Sequence, residues 1–509
     1  MAMNKIIFDD EITIWWQEET IPSATRLYKL YLDGELHGET TKTHYTFSDL
    51  FSSRAYQVRL EKYQNGVLKD KKEYVFRTQK AKNRMDITKA PYFAVGDGKT
   101  DNTKAIQRAL DACTGKDCVY IPAGEFLTGA LTVGSNTEIY LDDGAFVKGS
   151  EKVEDYLPKI KSRFEGMDME CYRSLINVGE LDSAGGCTCK NIVLRGKGTI
   201  FGGGVPLAHA ILETERIALK AYLEENADYV KTCENKNTIP GRARGRLLHI
   251  CNAENVVLSG LTLGYGASWN VHFIYCKDVV TCGCKIISDT TYNEDGTVKM
   301  QGVWNGDGWD PDSSENCTLF NTEFYTFDNA IAIKSGKNPD GNRINRPTKN
   351  VYIFDCPGKN DLAIGSEISG GVDGVWVWDC KFLDSWGINL KTTPSRGGYI
   401  KNISVKDSHV ASVTVRTQLC FNNDGESAGT LTKISNLHFE NLQLEGTFKV
   451  NGNAPEEIPP LFFDGFDGDG NEIENVVIRN VKISPRAGKD KQSIVGRNVK
   501  NVTVEKLYV

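Results

Sequence analysis

The sequence predicts an all-β chain: a small antiparallel β-sandwich followed by a parallel β-helix. Three observations predict it. Residues 1–80 alternate apolar and polar side chains between Asp-Gly and Asn-Gly turns. From residue 190 onward a polar pair, often ending in Asn, repeatedly precedes a short β-branched strand. No long helix separates most of these strands, which disfavours a βα-barrel.

In the first 80 residues the alternation runs through "EITIWWQEE", "RLYKLYLDGELHGETTKTHYTFSDL" and "AYQVRLEKYQNGVLKDKKEYVFRTQK". The turns "LDGEL" and "QNGVL" join antiparallel neighbours. This segment resembles a fibronectin type III module, which implies a spacer or binding accessory. It contains no catalytic constellation.

The charged linker "KAKNRMD" leads into "YFAVGDGKTDNTKAIQRALDAC", a Gly/Asp turn followed by one amphipathic helix capped near Asp101 or Thr103. The second domain, 81–509, then becomes repetitive. "KNIVLRGKGTI", "ENVVLSGLTL", "KDVVTCGCKI", "KNVYIFDCPG", "KNISVKDSHV" and "ENVVIRNVKI" share one pattern. Spacings as short as 23 residues fit one solenoid coil and leave no room for a four-stranded propeller blade. The recurrent Asn is expected at one corner, bonded to its counterparts in adjacent coils. Residues 205–240 read as a helical insertion.

Composition narrows the function classes. The 509 residues carry a net charge of −7 without a long basic run, so nucleic acid is not an expected partner. No apolar run approaches the ~20 residues of a membrane helix. The N-terminus lacks the pattern of a signal peptide, so a cytoplasmic location is the expectation, with secretion or a periplasmic location after leader removal as the alternative. The chain is expected to be a monomer or a weak oligomer. The 14 cysteines lack paired zinc-site spacing. Cys284, Cys317, Cys356 and Cys380 lie in or beside apolar strands and read as small buried hydrophobes. "DGFDGDGNEIEN" (464–475) lacks the full spacing of a calcium loop and reads as an acidic surface loop. No metal or organic cofactor is expected.

Four stretches depart from the plain repeat: "NGDGWDPDSS" (305–314), "FDNAIAIKSG" (327–336), "GKNDLAIGSEISGG" (358–371) and "GINLKTTPSRGGYI" (387–400). Their spacing, 21 residues from Asp307 to Asp328 and 31 from Asn360 to Lys391, is compatible with one coil plus a loop per step. Stacked on one face, they would place carboxylates near Lys391 and Arg396. Such a face suits an anionic sugar, with cations holding its carboxylates and acids acting on the bond.

The order of these motifs resembles glycoside hydrolase family 28, the polygalacturonases and their relatives. The resemblance covers residues 85–509 and includes "GDGKTDNTKAIQRALDAC", "IPAGEFLTGAL" and "GKGTIFGGG". "KSGKN", "RINRP" and "IGSEISGG" are most similar to bacterial exo-acting members. It implies a right-handed parallel β-helix and an inverting mechanism on pectic poly- or oligosaccharides containing galacturonic acid. Carried over by motif, Asp328 is the general acid, Asp307 a water-activating base, and Lys391 the cation for the substrate carboxylate.

Three positions depart from the family pattern. Its second Asp is Asn329, the His of its GHG is Asn360, and the Arg of its RIK triplet is Asn389. Asn329 has three readings: natural divergence with Asp307 as sole base, an introduced Asp→Asn change, or a chain that binds pectic oligosaccharides without cleaving them. The joint change at all three positions favours divergence. Rhamnogalacturonan is an alternative substrate. A pectate lyase would need calcium-binding acids and an Arg base, which this order of motifs does not supply.

Other candidates carry a bland reading beside the functional one. Asp310 faces the site or caps a turn, and Asn305 joins the substrate-binding set as part of the first motif. Trp269 and His272, in "ASWNVHFIYC", belong either to a cleft wall or to the structure behind it. Trp304 and Trp309 stack on sugar or fill the core. Lys334 grips a carboxylate or ends a strand. Glu367 and Arg396 sit beside glycines that permit close ligand approach, which favours a functional role.

Overall fold

The computed structural model describes residues 3–19, 21–419, 424–451, 454–484 and 494–508. The chain divides into two compact units, Met1–Arg84 and Met85–Val509.

The N-terminal unit consists of two antiparallel sheets. Met3–Ile7, Ile12–Trp16 and His44–Phe47 form one; Glu35–Thr40, Arg26–Leu32, Ala55–Gln64 and Val67–Arg77 form the other. The two hairpins of the second sheet turn at Asp33-Gly34 and Asn65-Gly66, all four residues with positive φ. That conformation matches the strand twist, and short polar residues and glycine tolerate it best. Alternate side chains, among them Ile14, Trp16, Tyr28, Leu30, Val58 and Phe76, fill an apolar core.

The larger unit is a parallel β-helix. One long sheet runs from Asp117–Ile121 to Val499–Tyr508, and a second, 11-stranded parallel sheet runs from Leu131–Val133 to Ile494–Arg497. Coils stack in register, so like positions superpose. Ile192, Val256, Val279, Cys317, Val351, Val375, Ile403, Leu437 and Val476 form one buried column. Each aliphatic member contributes about 1.5–3 kcal/mol through burial. Cys317 occupies one step as a small apolar side chain, and Cys284, Cys356 and Cys380 are also buried and unbridged.

The recurrent Asn makes the expected ladder. Asn255 donates to Asn191 at 3.2 Å, Asn350 to Asn316 at 3.1 Å, Asn436 to Asn402 at 3.0 Å and Asn475 to Asn436 at 2.9 Å. Each sits at φ between 55° and 59°, where the chain turns a corner within the long sheet. Asn suits this place because its side chain bonds locally and tolerates the left-handed region.

Helix Thr103–Ala112 begins where the Asp101 carboxylate accepts the N–H of Thr103 at 2.9 Å. The insertion forms helices Gly204–Ala218, Lys220–Glu225, Ala227–Thr232 and Thr238–Gly241. No helix among the described residues is long and apolar enough to cross a membrane.

Candidate active site

The site grows from the period of two in the 11-stranded sheet. In Trp309–Asp312, Ile331–Ile333, Leu362–Ile364, Ile388–Lys391 and Val413–Arg416, alternate residues such as Trp309, Ile331, Leu362, Ile388 and Val413 enter the core. The intervening positions therefore face the other way. They carry Asp310, Asp312, Asn389, Lys391, Thr414 and Arg416, with Lys334 just past its strand. Register pairs Asp312 with Lys334, and Lys391 with Arg416.

Asp307 and Asn329 each stand two residues before such a strand, and Trp309 and Ile331 are in register. The Gly308 N–H donates to the Asn329 carbonyl, and the Ala330 N–H to the Asp361 carbonyl, each at 3.0 Å. These backbone bonds hold the turns of successive coils side by side.

Asp307, Asn329, Lys334, Asn389, Lys391 and Arg416 line a cavity of about 490 Å³. Its wall includes Asn305, Asp307, Asp328, Asn329, Lys334, Asp361, Glu367, Asn389, Lys391, Arg416, Trp269 and Trp386. Two more carboxylates come from outside the coils. Glu165 sits at the tip of hairpin Ile160–Phe164/Met167–Cys171, and Glu234 lies in the helical insertion. Arg242 holds Glu165 at 2.7 Å and Asp424 at 2.9 Å, tying the hairpin to the later loop.

The electrostatics turn on Lys334. Its ammonium lies 3.2 Å from Asp307 and 3.3 Å from Glu367. Burial works against its charge, but the two carboxylates outweigh burial and raise it well above the usual lysine range. Burial likewise opposes the Glu367 charge, and Lys334 and Arg396 outweigh it, so this carboxyl stays below its usual range. For Asp307 the balance goes the other way. Burial pushes it up to about 7; Lys334 opposes, while the charge of Asp328 adds to the rise. Lys334 divides its attraction between two acids, so it cannot hold both fully ionised.

Trp269 is not an open stacking platform. Phe164 stacks on it at 4.9 Å, Arg246 lies 4.8 Å from the ring and Lys334 4.5 Å. It buttresses Lys334 from the cavity wall. Trp309 is fully buried and donates to Thr281 at 3.0 Å, so it belongs to the core. Trp304 lies beneath the Arg244 guanidinium at 4.8 Å. The same arginine donates to Asn305 Oδ1 at 2.7 Å and so orients that side chain.

Among the candidates, Asn305, Asp307, Asp328, Asn329, Lys334, Glu367, Lys391 and Trp269 meet at the cavity. Four others stand elsewhere. His272 is fully buried behind Trp269, bonded to His249 at 3.1 Å and 3.6 Å from Asp312. Burial lowers it to about 4, so it is neutral at pH 7. Asp310 is also fully buried, and neither carboxyl oxygen has a hydrogen-bond partner among the described residues. Burial and the nearby Asp307 push it well above the carboxylate range, so it is held protonated. Asn360 turns at φ 72° and donates to the Thr326 carbonyl of the preceding coil, a corner brace. Arg396 is buried behind the cavity and donates to Asn338 at 2.6 Å.

Sequence reasoning did not single out Glu165, Glu234, Asp361, Trp386 or Arg416. Arg416 had a signal: "VTVR" follows "INLK" by one coil, with Arg416 in the place of Lys391. Glu165 and Glu234 had none, because each arrives on an insertion with no repeat to align.

Comparison with known proteins follows the same motifs. The family model for glycosyl hydrolases family 28 matches residues 179–505. A second model, rhamnogalacturonase A/epimerase, pectate lyase-like, matches residues 90–140. The chain is 26% identical over 359 residues to the exo-poly-alpha-D-galacturonosidase of Dickeya chrysanthemi, covering 67% of this chain and 57% of that protein. It is 26% identical over 343 residues to a polygalacturonase of Ralstonia solanacearum, covering 60% of each. The chain thus spans 57% to 60% of the length of these curated relatives. Its fold superposes on a family 28 exopolygalacturonase of Yersinia enterocolitica with TM-score 0.77 and 19% identity, over 99% of this chain and 96% of the other.

Proposed function

Because this chain belongs to family 28 of the glycosyl hydrolases, we propose that it cleaves α-linked galacturonic acid chains, or closely related pectic oligosaccharides, from a chain end. One observation carries the reading: Asp307 and Asp328 line a single cavity together with Lys391 and Arg416. Two carboxyl groups and a pair of cations are what hydrolysis of a uronate polymer requires.

Asp328 is placed as the general acid. Its proton goes to the glycosidic oxygen as the bond to the anomeric carbon breaks. Asp307 takes a proton from water, whose oxygen attacks the same carbon from the opposite face. This is inverting hydrolysis, in which the two carboxyls stand about 6.5–9.5 Å apart with water between base and sugar. Lys391 and Arg416 are placed as the grips for substrate carboxylates. The exo mode is supported by the likeness to the exo-poly-alpha-D-galacturonosidase of Dickeya chrysanthemi and by Glu165 and Glu234, which add walls from outside the coils.

A second assignment of roles is favoured by one fact. Asp307, pushed up to about 7 by burial, has the raised value expected of an acid, which would leave Asp328 as the base.

The test is product analysis from defined galacturonate oligomers, with and without chelator. Saturated monomer released from one end, unchanged by chelator, is the expected result. Unsaturated product that disappears with chelator would point to a lyase instead. Binding without turnover would reduce the chain to a pectic-oligosaccharide binder. Faster release from rhamnogalacturonan than from galacturonan would change the substrate.

A further inference from the structure

Lys391, Asn329, Asp361, Asn389 and Arg416 form a continuous chain of hydrogen bonds in the cavity wall. A lysine ammonium only donates and an ionised carboxylate only accepts. The Asn329 amide therefore has one orientation. Its Oδ1 accepts from Lys391 Nζ at 3.0 Å, and its Nδ2 donates to Asp361 Oδ1 at 2.9 Å. The other Asp361 oxygen accepts from Asn389 Nδ2 at 2.8 Å. Asn389 Oδ1 in turn accepts from Arg416 Nε at 3.3 Å. Asp361 is 2% exposed, and among the described residues its two side-chain hydrogen bonds go to amides. Asp361 thus reaches Lys391 and Arg416 through those amides.

We propose that Asp361 is a positioning residue whose carboxylate, relayed through the Asn329 and Asn389 amides, sets Lys391 and Arg416 toward the substrate. The proposal rests on the reading of the cavity as a uronate-cleaving site. It changes what position 329 does. The Asn329 carbonyl oxygen accepts from Lys391, so it orders a cation of the cavity. A carboxylate at 329 would face Asp361 directly, and two like charges at that distance cannot both stay ionised. Restoring Asp at 329 alone would therefore disturb the site. Moving the charge from 361 to 329 would keep one carboxylate and one amide in the same contact.

The test uses four full-length proteins: wild type, D361N, N329D and the exchange N329D/D361N. Kinetics on galacturonate oligomers across pH and thermal unfolding are measured for each. D361N is expected to raise KM about tenfold or more with a smaller change in kcat, because the cations lose their orientation. N329D is expected to lose activity and to shift its pH profile, since one of the facing carboxyls holds a proton. The exchange variant is expected to recover most of the lost kcat/KM and a pH profile like that of wild type. It also guards against D361N simply failing to fold. Wild-type KM and pH profile in N329D, or purely additive losses in the exchange variant, would overturn the relay. Absence of turnover in wild type would strike the reading of the cavity instead. The relay is then decided by unfolding: recovery of Tm in the exchange variant supports it, and additive Tm losses reject it.

Discussion

The ammonium of Lys334 lies 3.2 Å from the carboxylate of Asp307, each side chain only 5% exposed. This contact restrains the rise of the Asp307 carboxyl that burial causes, and it leaves that group titrating at about 7. The chemistry of the cavity thus depends on a lysine from the next coil.

The pH profile of kcat/KM should carry a limb near 7. As base, Asp307 must be ionised, so the rate rises as pH climbs through about 7. With the roles reversed it must be protonated, and the rate falls over the same range. Removing Lys334 takes away an opposing charge, so K334M should move that limb upward by about 1–3 pH units. A limb that stays in place in K334M would show that Asp307 does not govern it.

Arg416 lies 3.6 Å from the Trp386 ring centroid and lines the cavity beside Lys391. Stacking holds the guanidinium flat, ready for a planar carboxylate. R416A should raise KM for galacturonate oligomers about tenfold, the worth of roughly one charge-assisted hydrogen bond. Its KM should also depend less on salt. Methyl-esterified oligomers, which lack the carboxylate charge, should discriminate much less between the two proteins.

Two buried groups each contribute an acid-sensitive window to the stability of the β-helix, the upper one opposed by Asp307 and Asp310, whose raised carboxyls bind protons first in the folded chain. Burial lowers His272 from 6.5 to about 4, so the unfolded chain binds that proton first and this contribution falls as pH drops from 6.5 toward 4. Burial opposes the Asp312 charge, but Arg163 at 3.0 Å and His272 outweigh it and hold the carboxyl at about 2. Its stabilisation is present above 3.8 and is lost as pH falls toward 2. Urea unfolding followed against pH isolates each contribution as the difference between wild type and a variant. H272Q should remove the His272 share of the upper one and leave that of His249, which burial also holds well below its usual value. D312N should weaken the lower one, which the depressed carboxyl of Asp424 shares, and cost about 1–3 kcal/mol at pH 7, because Arg163 loses one buried partner and keeps Asp168 at 2.7 Å.

The corner ladder should be measurable at Asn436, which donates to Asn402, accepts from Asn475 and sits at φ 58°. N436A loses both contacts and meets the left-handed penalty, about 2–3 kcal/mol together. N436G escapes the backbone penalty and should cost about half as much. Denaturant midpoints of the two variants check the order, and equal losses would mean that the backbone term is negligible.

Much of the fold was legible because its signals are local. A β-branched strand, a corner Asn and a Gly turn each act within a few residues, and repetition makes them visible. The insertion at 204–241 was legible too, since four short helices interrupt the strand pattern. The site was legible to the extent that its residues sit on the repeat. Asp307, Asp328, Lys334, Glu367 and Lys391 all do, and all line the cavity. His272 and Asp310 carry equally suggestive side chains on the same sheet, yet they lie buried behind Trp269 and under the cavity wall.

The sequence by itself determined that strands, corners and a polar face would recur, because period and backbone preference are properties of neighbouring residues. Only the tertiary structure decided which polar residues share a contact. Asn329 meets Asp361 32 residues on and Lys391 62 residues on. Those partners are chosen by coil register, and register is set by the packing of the whole core against loops of unequal length. Burial, and with it the charge state of Asp307, is likewise a property of the folded chain, since the same carboxyl in the open chain would remain in water.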